Sequence, residues 1–589
     1  MTTKELFEKY PDILVYDFEV FKKFWCVVIL SADGYEEITD YDHFKRFYDE
    51  HKDYIWIGFN SNHYDAYILG AVYNKLRNST LYLASQDCIR QGWTQRGERP
   101  DGFISYDTGD RFHSLKQLEA YMGHSIEESS IPFDTDAEFT DEMKEETLKY
   151  CRHDVHETAE VLTRRIYDFM AQKSLIETFN LPKEDYRLTK AQLTAKVLKC
   201  ERTDEQDNRL IAQEWDFDIL PCIRIRKYTD VLDFYSSCKK YMEGQLNIDI
   251  SGVPHTFALG GIHGAIKRCH RKGHLLHIDV TSYYPSIMIQ HNLLTRRTKH
   301  PELFTEIYDK RVELKKAGKK DEQAPYKIIL NSTFGITNHK FSKAYDPKMN
   351  HDVCINGQLM LLMLLEMLEG TCDLIQSNTD GIIVDCTGFD RARVEEICHQ
   401  WERQTKMGLS FDSVSEIWQK DVNNYLIRFD NGKEEAKGAY VKFNSELDND
   451  LSIVNEAVRE GLRKMSFRAM EDYIRSSNEL IKFQKIVKLS NLYSHVYLGA
   501  HEIKNHKCFR VFAVVDGEII SKAKSREGTH EKYANTPESA AIVFGDLKEE
   551  HLQDYMGHRF SIDSIDKDYY IEMARNRLMD FGLQGWLDG

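Results

Sequence analysis

The run Asp279-Val280-Thr281-Ser282-Tyr283-Tyr284-Pro285-Ser286 sets a carboxylate at the end of an apolar stretch, Leu275-Leu276-His277-Ile278, that reads as a strand. A second acidic tetrad, Asn378-Thr379-Asp380-Gly381, lies between Leu374-Ile375 and Ile382-Ile383-Val384, again at a strand end or hairpin tip. Two carboxylates brought together are what a pair of divalent cations needs for an in-line phosphoryl displacement. By itself an aspartate at a strand end is more often a turn former or helix cap. The chemistry therefore depends on what the rest of the chain sets around this pair.

Side chains of the same kind gather nearer the N-terminus. Asp17-Phe18-Glu19 closes a first strand with both acids on one face of the pleat. Asn60-Ser61-Asn62-His63-Tyr64-Asp65 follows another strand. Tyr150-Cys151-Arg152-His153-Asp154 reads as helix, with Tyr150 and Asp154 one turn apart and His153 a surface neighbour. Further along, Arg311 and Lys315 share one helix face, as do Lys327 and Asn331 on the next helix. Facing each other, these helices offer three cations to a polyphosphate, and a preorganised clamp is worth more than the same charges on an open surface.

The elements that must hold these residues follow from patterning. Strands are expected at 13–16, 24–30 and 55–59, and helices at 42–50, 114–122 and 141–179. This mixed order suits one α/β domain over residues 1–195. A connector and a first strand-bearing part occupy 196–290, where the charged stretch 201–209 reads as either linker or helix. Helices at 302–316 and 325–333, joined by a tip at 317–323, make a short helical segment over 291–340. A long apolar helix at 352–369, the strand–turn–strand about Asp380 and a hairpin at 421–443 around Asp430-Asn431-Gly432 fill 341–445. Helices over 451–483 and 567–581 mark a last part, 446–589.

With 589 residues the chain holds several domains. No run of about 18 apolar residues is present, so no membrane span is expected. Met1-Thr2-Thr3-Lys4-Glu5-Leu6 carries no apolar signal core. Twelve scattered cysteines without a Cys-x-x-Cys pair read as reduced thiols rather than zinc ligands or disulfides. A formal net charge of −17 counts against nucleic acid globally. Basic residues nonetheless cluster at 267–272, 296–299 and 310–320, and local tracks are enough to grip a phosphate backbone.

Three segments, in order, resemble motifs of the family B DNA polymerases. Asp279-x-x-Ser282-Tyr283-Tyr284-Pro285-Ser286 is similar to motif A, Lys327-x-x-x-Asn331-Ser332-x-Phe334-Gly335 to motif B, and Asn378-Thr379-Asp380-Gly381 to motif C. Lys437-Gly438-Ala439-Tyr440 resembles the family's Lys/Tyr motif at the primer end. Gly260-Gly261 resembles its glycine element ahead of the polymerase part, where bare backbone approaches template phosphates, although the preceding tyrosine is absent. The three N-terminal segments resemble the motifs of the family's proofreading domain. Asn378 departs from the usual aspartate, Gly381 from serine and Phe334 from tyrosine.

The resemblance implies a multidomain α/β and α+β chain, an RNase H-like exonuclease followed by a right-hand palm, fingers and thumb. It implies two Mg²⁺ held by Asp279 and Asp380, with Mn²⁺ able to substitute. Two more would be held by Asp17, Glu19, Asp65 and Asp154, with Tyr150 orienting the attacking water. Arg311, Lys315, Lys327 and Asn331 would bind the dNTP triphosphate. Ser282 and Tyr284 would frame the sugar, Tyr284 clashing with a 2′-hydroxyl, and Phe334 would stack near the nascent base pair. Lys437, Tyr440, Gly260 and Gly261 would meet primer–template DNA, and Asn60 the exonuclease substrate. Accessory proteins such as a helicase, single-strand-binding protein or clamp are further partners. A monomer is expected, in the cytoplasm, or that of the host cell if the protein is viral. The exonuclease motifs begin almost at the first residue and 40 residues separate Ser286 from Lys327, which points to a compact bacteriophage-type enzyme extending nucleic-acid primers. Asn378 and Gly381 also suggest a DNA-binding 3′→5′ exonuclease with a silent polymerase scaffold. A reverse transcriptase would share the two aspartates but not the proofreading motifs.

Overall fold

A computed structural model describes residues 1–237 and 244–588. Its contacts divide the chain into two units. One comprises Met1–Arg187, Asn444–Val454 and Ile474–Glu572, the other Leu188–Phe443, Asn455–Tyr473 and Met573–Gly589.

In the first unit, β-branched and aromatic runs fold into a five-stranded sheet of order β3-β2-β1-β4-β5. Its strands are β1 (Ile13–Val20), β2 (Trp25–Ser31), β3 (Gly34–Ile38), β4 (Ile55–Gly58) and β5 (Ser105–Asp107). The first three are antiparallel, and β4 and β5 add in parallel. Seven helices accompany it: α1 (Thr3–Lys9), α2 (Tyr41–Glu50), α3 (Asp65–Tyr73), α4 (Asn78–Gln91), α5 (Leu115–Met122), α6 (Asp141–Arg164) and α7 (Ile166–Thr178). The strand period sorts β1: Leu14, Tyr16 and Phe18 pack with Phe44 and Ile68, whereas Ile13 and Val15 pack with Cys151 and Val155 of α6. The helix expected over 141–179 is two helices. Arg165, at φ −99° and ψ 16°, ends α6, its guanidinium drawn to the Thr108 carbonyl and Asp110.

The second unit is built on a nine-stranded sheet of order β14-β13-β12-β9-β11-β10-β8-β7-β6. The strands are β6 (Leu246–Ile250), β7 (Val253–Phe257), β8 (His263–Ala265), β9 (Cys269–Val280), β10 (Asp373–Asn378), β11 (Gly381–Asp385), β12 (Leu409–Asp421), β13 (Asn424–Phe429) and β14 (Glu434–Lys437). Its helices are α8 (Lys190–Val197), α9 (Asp204–Ala212), α10 (Thr229–Ser237), α11 (Tyr283–Gln290), α12 (Glu302–Lys316), α13 (Lys320–Asn338), α14 (Pro347–Leu368) and α15 (Arg391–Thr405). The charged stretch 201–209 resolves as helix α9. Thr203 Oγ1 accepts from Gln206 N, and acids fill the first turn, where the helix dipole favours them.

Several expectations shift here. Helix α13 begins at Lys320 and runs through Pro325, with Asp321 and Glu322 in its first turn, so the tip shrinks to three residues, Ala317 to Lys319. Helix α14 starts five residues early, at Pro347, where a proline costs no hydrogen bond. By length and composition α14 is apolar enough to cross a membrane, but 89% of its most apolar window is buried inside the fold, as in a core helix. The basic run 296–299 is not a free track for phosphate. Asp346 clasps Arg296 at 2.7 Å, fully buried Arg297 meets Asp207 at 2.5 Å, and Lys299 pairs with Glu201 at 2.8 Å.

The last part, 446–589, divides between the two units. Helices α16 (Ser452–Lys464), α17 (Phe467–Ser476) and α18 (Lys567–Phe581) bracket the strands Lys485–Lys488, Cys508–Glu518 and Ala540–Val543. These strands form a three-stranded sheet of the first unit, where Ile486 and Cys508 pack on Leu118 and Met122 of α5. Arg510 pins the two together. It is 0% exposed and donates to the carbonyls of Ala120 (3.2 Å), His124 (2.9 Å) and Gly545 (3.0 Å) and to Gln484 Oε1 (2.8 Å). Burial lowers its pKa to about 10, so it stays charged at neutral pH and needs all four acceptors. Arg510→Met should destabilise the first unit by about 3 kcal/mol or more, since four acceptors, those on Ala120 and Gln484 buried, lose their donor. Hydrogen exchange of the α5 amides in the variant should accelerate accordingly.

Candidate active sites

In the first unit, the alternation of β1 turns Asp17 and Glu19 toward α6, which presents Asp154 one turn after Tyr150. Ligating oxygens of Asp17, Glu19 and Asp154 lie within 4.8 Å of one another. Asp65 opens α3 outside this triplet, and its Oδ1 accepts from Phe18 N at 3.2 Å. Burial, then mutual repulsion, pushes Asp17 and Glu19 well above the usual carboxylate range, and burial lifts Asp65 to about 7. A buried, oxygen-only, strongly acidic set of this kind fits Mg²⁺. Burial and the charges of Asp154 and Glu19 also keep the Tyr150 hydroxyl protonated.

Three residues that the sequence reading did not single out complete this site. Lys116 on α5 puts Nζ 2.6 Å from Asp154 Oδ1 and 3.0 Å from Glu119 Oε1, and 4.8 Å from the centre of the Tyr150 ring. Burial works against its charge, but Asp154 and Glu119 outweigh it and raise its pKa. Fully buried Glu119 is also raised, because desolvation dominates there. His153, expected at the surface, is half-buried with Nε2 3.5 Å from Glu119 Oε2. Asp107, at the end of β5, accepts from Asn60 N (2.8 Å) and Asn62 N (3.0 Å) and so shapes the loop that delivers Asp65. Asn60 itself has a left-handed backbone, φ 58°, and an exposed side chain.

In the second unit, sheet register assembles the other site. Cross-strand pairing sets His263, Asn378, Gly381, Asp279 and Ser410 in one row across β8, β10, β11, β9 and β12. The next row on that face holds Gln376, Ile383, His277 and Asp412. Asp380 follows Thr379 (φ 57°) in the two-residue turn between β10 and β11, where Val280 N donates to Asp380 O at 2.8 Å and Thr379 N to Ile262 O at 2.9 Å. Asp279 and Asp380 line one cavity of about 320 Å³ with His277, Asn378, Tyr425 and Lys437. Burial lifts Asp279 to about 7, with repulsion from Asp380, Asp412 and Glu435 adding to it. Burial also raises Asp380, against the pull of His277 and Lys437. The paired carboxylates fit a divalent cation, with Asp412 and Glu435 supplying further negative charge.

The structure places the expected binding residues unequally. Arg311 Nη1 donates to Ser282 Oγ at 2.8 Å, and burial lowers the guanidinium's pKa. Tyr284 stacks on Phe334 with ring centres 3.9 Å apart and planes at 11°. That stack fixes α13, and Asn331 and Lys327, three and seven residues earlier, share the face of Phe334. Lys315, Lys327 and Asn331 are exposed. Lys437 lines the cavity, but Tyr440 is engaged elsewhere. Its hydroxyl donates to Asp580 at 3.2 Å, and Lys420 and Arg577 lie over its ring. Gly260, at φ +136°, exchanges hydrogen bonds with the Cys354 thiol, and a Cβ on Gly261 would come 2.7 Å from Thr379 Oγ1. The glycine pair thus lets its loop pass close against the turn that holds Asp380.

These shifts set a pH dependence. Folded Asp279 takes up a proton near pH 7, whereas an unfolded aspartate does so near about pH 3.9. The native state therefore binds more protons between those values, and metal-free stability should fall as pH rises through that window. Cations need the carboxylates ionised, so Mn²⁺ affinity should rise over about pH 5 to 8. Calorimetric titration across that range should show the rise, and Asp279→Asn should flatten the second unit's share of it.

No family model matches the chain. DNA polymerase II of Escherichia coli (strain K12) is 26% identical over 125 residues, a match that spans 21% of this chain and 15% of that protein. Among solved structures, the chain is similar to the family B DNA polymerase from the hyperthermophilic archaeon Pyrobaculum calidifontis, with a TM-score of 0.43 and 14% identity, covering 97% of this chain and 77% of that one.

Proposed function

We propose that the chain is a DNA-directed DNA polymerase with 3′→5′ proofreading, of compact bacteriophage type, that extends a primer 3′-hydroxyl with dNTPs. The observation that carries this reading is the convergence of Asp279 and Asp380 on one cavity, with Arg311 and the Tyr284–Phe334 stack anchored to the segment that follows Asp279. The partial match to DNA polymerase II supports it.

Asp279 and Asp380 hold the cations of the synthetic site, and Asp17, Glu19, Asp65 and Asp154 those of the exonuclease. Divalent cations bound there lower the pKa of the attacking oxygen and offset charge on the leaving group. Arg311, with Lys315, Lys327 and Asn331 from the paired helices, binds the triphosphate. The Tyr284 ring, braced by Phe334, closes the space a 2′-hydroxyl would need. Lys437 neutralises a primer phosphate near the carboxylates. In the exonuclease Tyr150 orients the attacking water. Primer–template DNA and dNTPs are the substrates. The protein acts as a monomer in the cytoplasm, with a helicase, single-strand-binding protein or clamp as accessory partners.

Primer extension with Mg²⁺ and dNTPs tests this. Wild type should extend, Asp380→Ala should lose about 10³-fold or more, and Asp17→Ala/Glu19→Ala should lose exonuclease alone. Tyr284→Ala should raise ribonucleotide incorporation. Identical inactivity of wild type and Asp380→Ala in extension would sink the reading.

One observation favours a second reading, an exonuclease on a silent polymerase scaffold. Among the described residues, the groups of three ligating atoms within 4.8 Å lie in the first unit, and Asn378 brings no charge to the second site. A wild type that degrades primers and never extends them would decide for it.

A further inference from the structure

Gly381 lies directly opposite Asp279 in the β9–β11 register, and its backbone does not require glycine, since its φ is not positive. Space does. A Cβ at 381 would sit 3.1 Å from Asp279 Oδ1, 3.2 Å from His277 Nε2 and 3.2 Å from the Ile278 carbonyl. Contacts that short force a neighbour to yield by a few tenths of an ångström. Two of the three crowding atoms are side-chain atoms at the mouth of the candidate synthetic site.

His277 precedes Asp279 by two residues and shares its face of β9, directly opposite Asp412. It lines the same cavity as both aspartates. Its Nδ1 is buried and meets no hydrogen-bond partner among the described residues. The ring is therefore not oriented through Nδ1. Its centre lies 6.4 Å from that of the Phe429 ring, and its Nε2 lies 3.2 Å from where a Cβ at 381 would be. Asn378, in the row of Asp279, is an amide and cannot steer that carboxylate by charge.

We propose that His277 is a positioning residue for Asp279. The imidazole leans into the space left by Gly381 and limits the rotation of the carboxylate, so that Asp279 keeps facing Asp380. His277 and Gly381 then act as one unit, a large residue at 277 with none at 381. This deepens the polymerase reading and rests on Asp279 being a metal ligand.

The test is a double-mutant cycle in the full chain. Gly381→Ser should slow primer extension about tenfold or more, as small misplacements of reacting groups do. His277→Ala should slow it less, by freeing Asp279 to rotate. The double variant should regain most of the loss, because the serine fills the volume the ring leaves. Such non-additivity is expected for residues that touch or share one space, and not for independent sites. Gly381→Ala provides a milder lesion should the serine hinder folding. A second readout does not depend on turnover: Mn²⁺ binding by electron paramagnetic resonance, in the Asp17→Ala/Glu19→Ala background so that the first unit contributes little. Gly381→Ser should weaken this binding and His277→Ala/Gly381→Ser restore it. Losses that simply multiply in both readouts would overturn the proposal while leaving a wild type that extends primers intact as a polymerase. A wild type that never extends, yet shows rescue in Mn²⁺ binding, would keep the positioning role and remove the polymerase reading.

Discussion

The register of β9 between β11 and β12 is the constraint on which the second unit's chemistry rests. Because side chains alternate across a sheet, a slip of one residue would turn His277 and Asp279 to the opposite face together. The pairing Gly381–Asp279–Ser410 excludes that slip, and the two-residue turn at Thr379-Asp380 then brings the second carboxylate to the same edge. Everything else in the site is secured to this frame. Arg311 reaches it through Ser282, α13 through the Tyr284–Phe334 stack, and the Gly260-Gly261 loop through Thr379.

Both sites concentrate acids beyond what an apolar interior tolerates uncompensated, but they relieve the repulsion differently. The first unit contains its own cation, since Lys116 lies between Asp154 and Glu119. In the second, a lysine ammonium meets Glu435 from the exposed Lys433, at 2.8 Å. That site relies on partial solvent access and on Lys437 and His277 at longer range. Carboxylates held near neutrality in this way trade protons for divalent cations at little cost, since either one discharges the same repulsion.

What the sequence made legible was local. Helices α12 and α18 have the expected boundaries because their apolar period is sustained, and the strand–turn–strand about Asp380 is spelled in contiguous residues. Contributions from afar left no such trace. Lys116 and Glu119 read as an ordinary polar helix face, and only the packing of α5 on α6 turns them inward. Asp412 and Glu435 become neighbours of Asp279 through the sheet alone. Arg297 sits in a basic run that reads as a track for phosphate, and its burial against Asp207 could not be inferred from spacing. The strands at 485–543 read as short continuous apolar runs, buried on both faces, but nothing local says that their partner is a helix several hundred residues earlier.

That last pairing has a consequence for how the protein is made. The apolar side of α5 is covered by strands that leave the ribosome long after α5 itself, and Arg510 reaches the Ala120 and His124 carbonyls across 390 and 386 residues. At translation speeds of about 5–20 residues per second, the nascent first unit waits roughly 20–80 s with Leu118 and Met122 uncovered. Its final consolidation is therefore post-translational in character, and the interval exposes a sticky surface that chaperones are suited to shield. A fragment ending near residue 195 would carry that exposed surface permanently, which makes the N-terminal sheet a poor candidate for expression on its own.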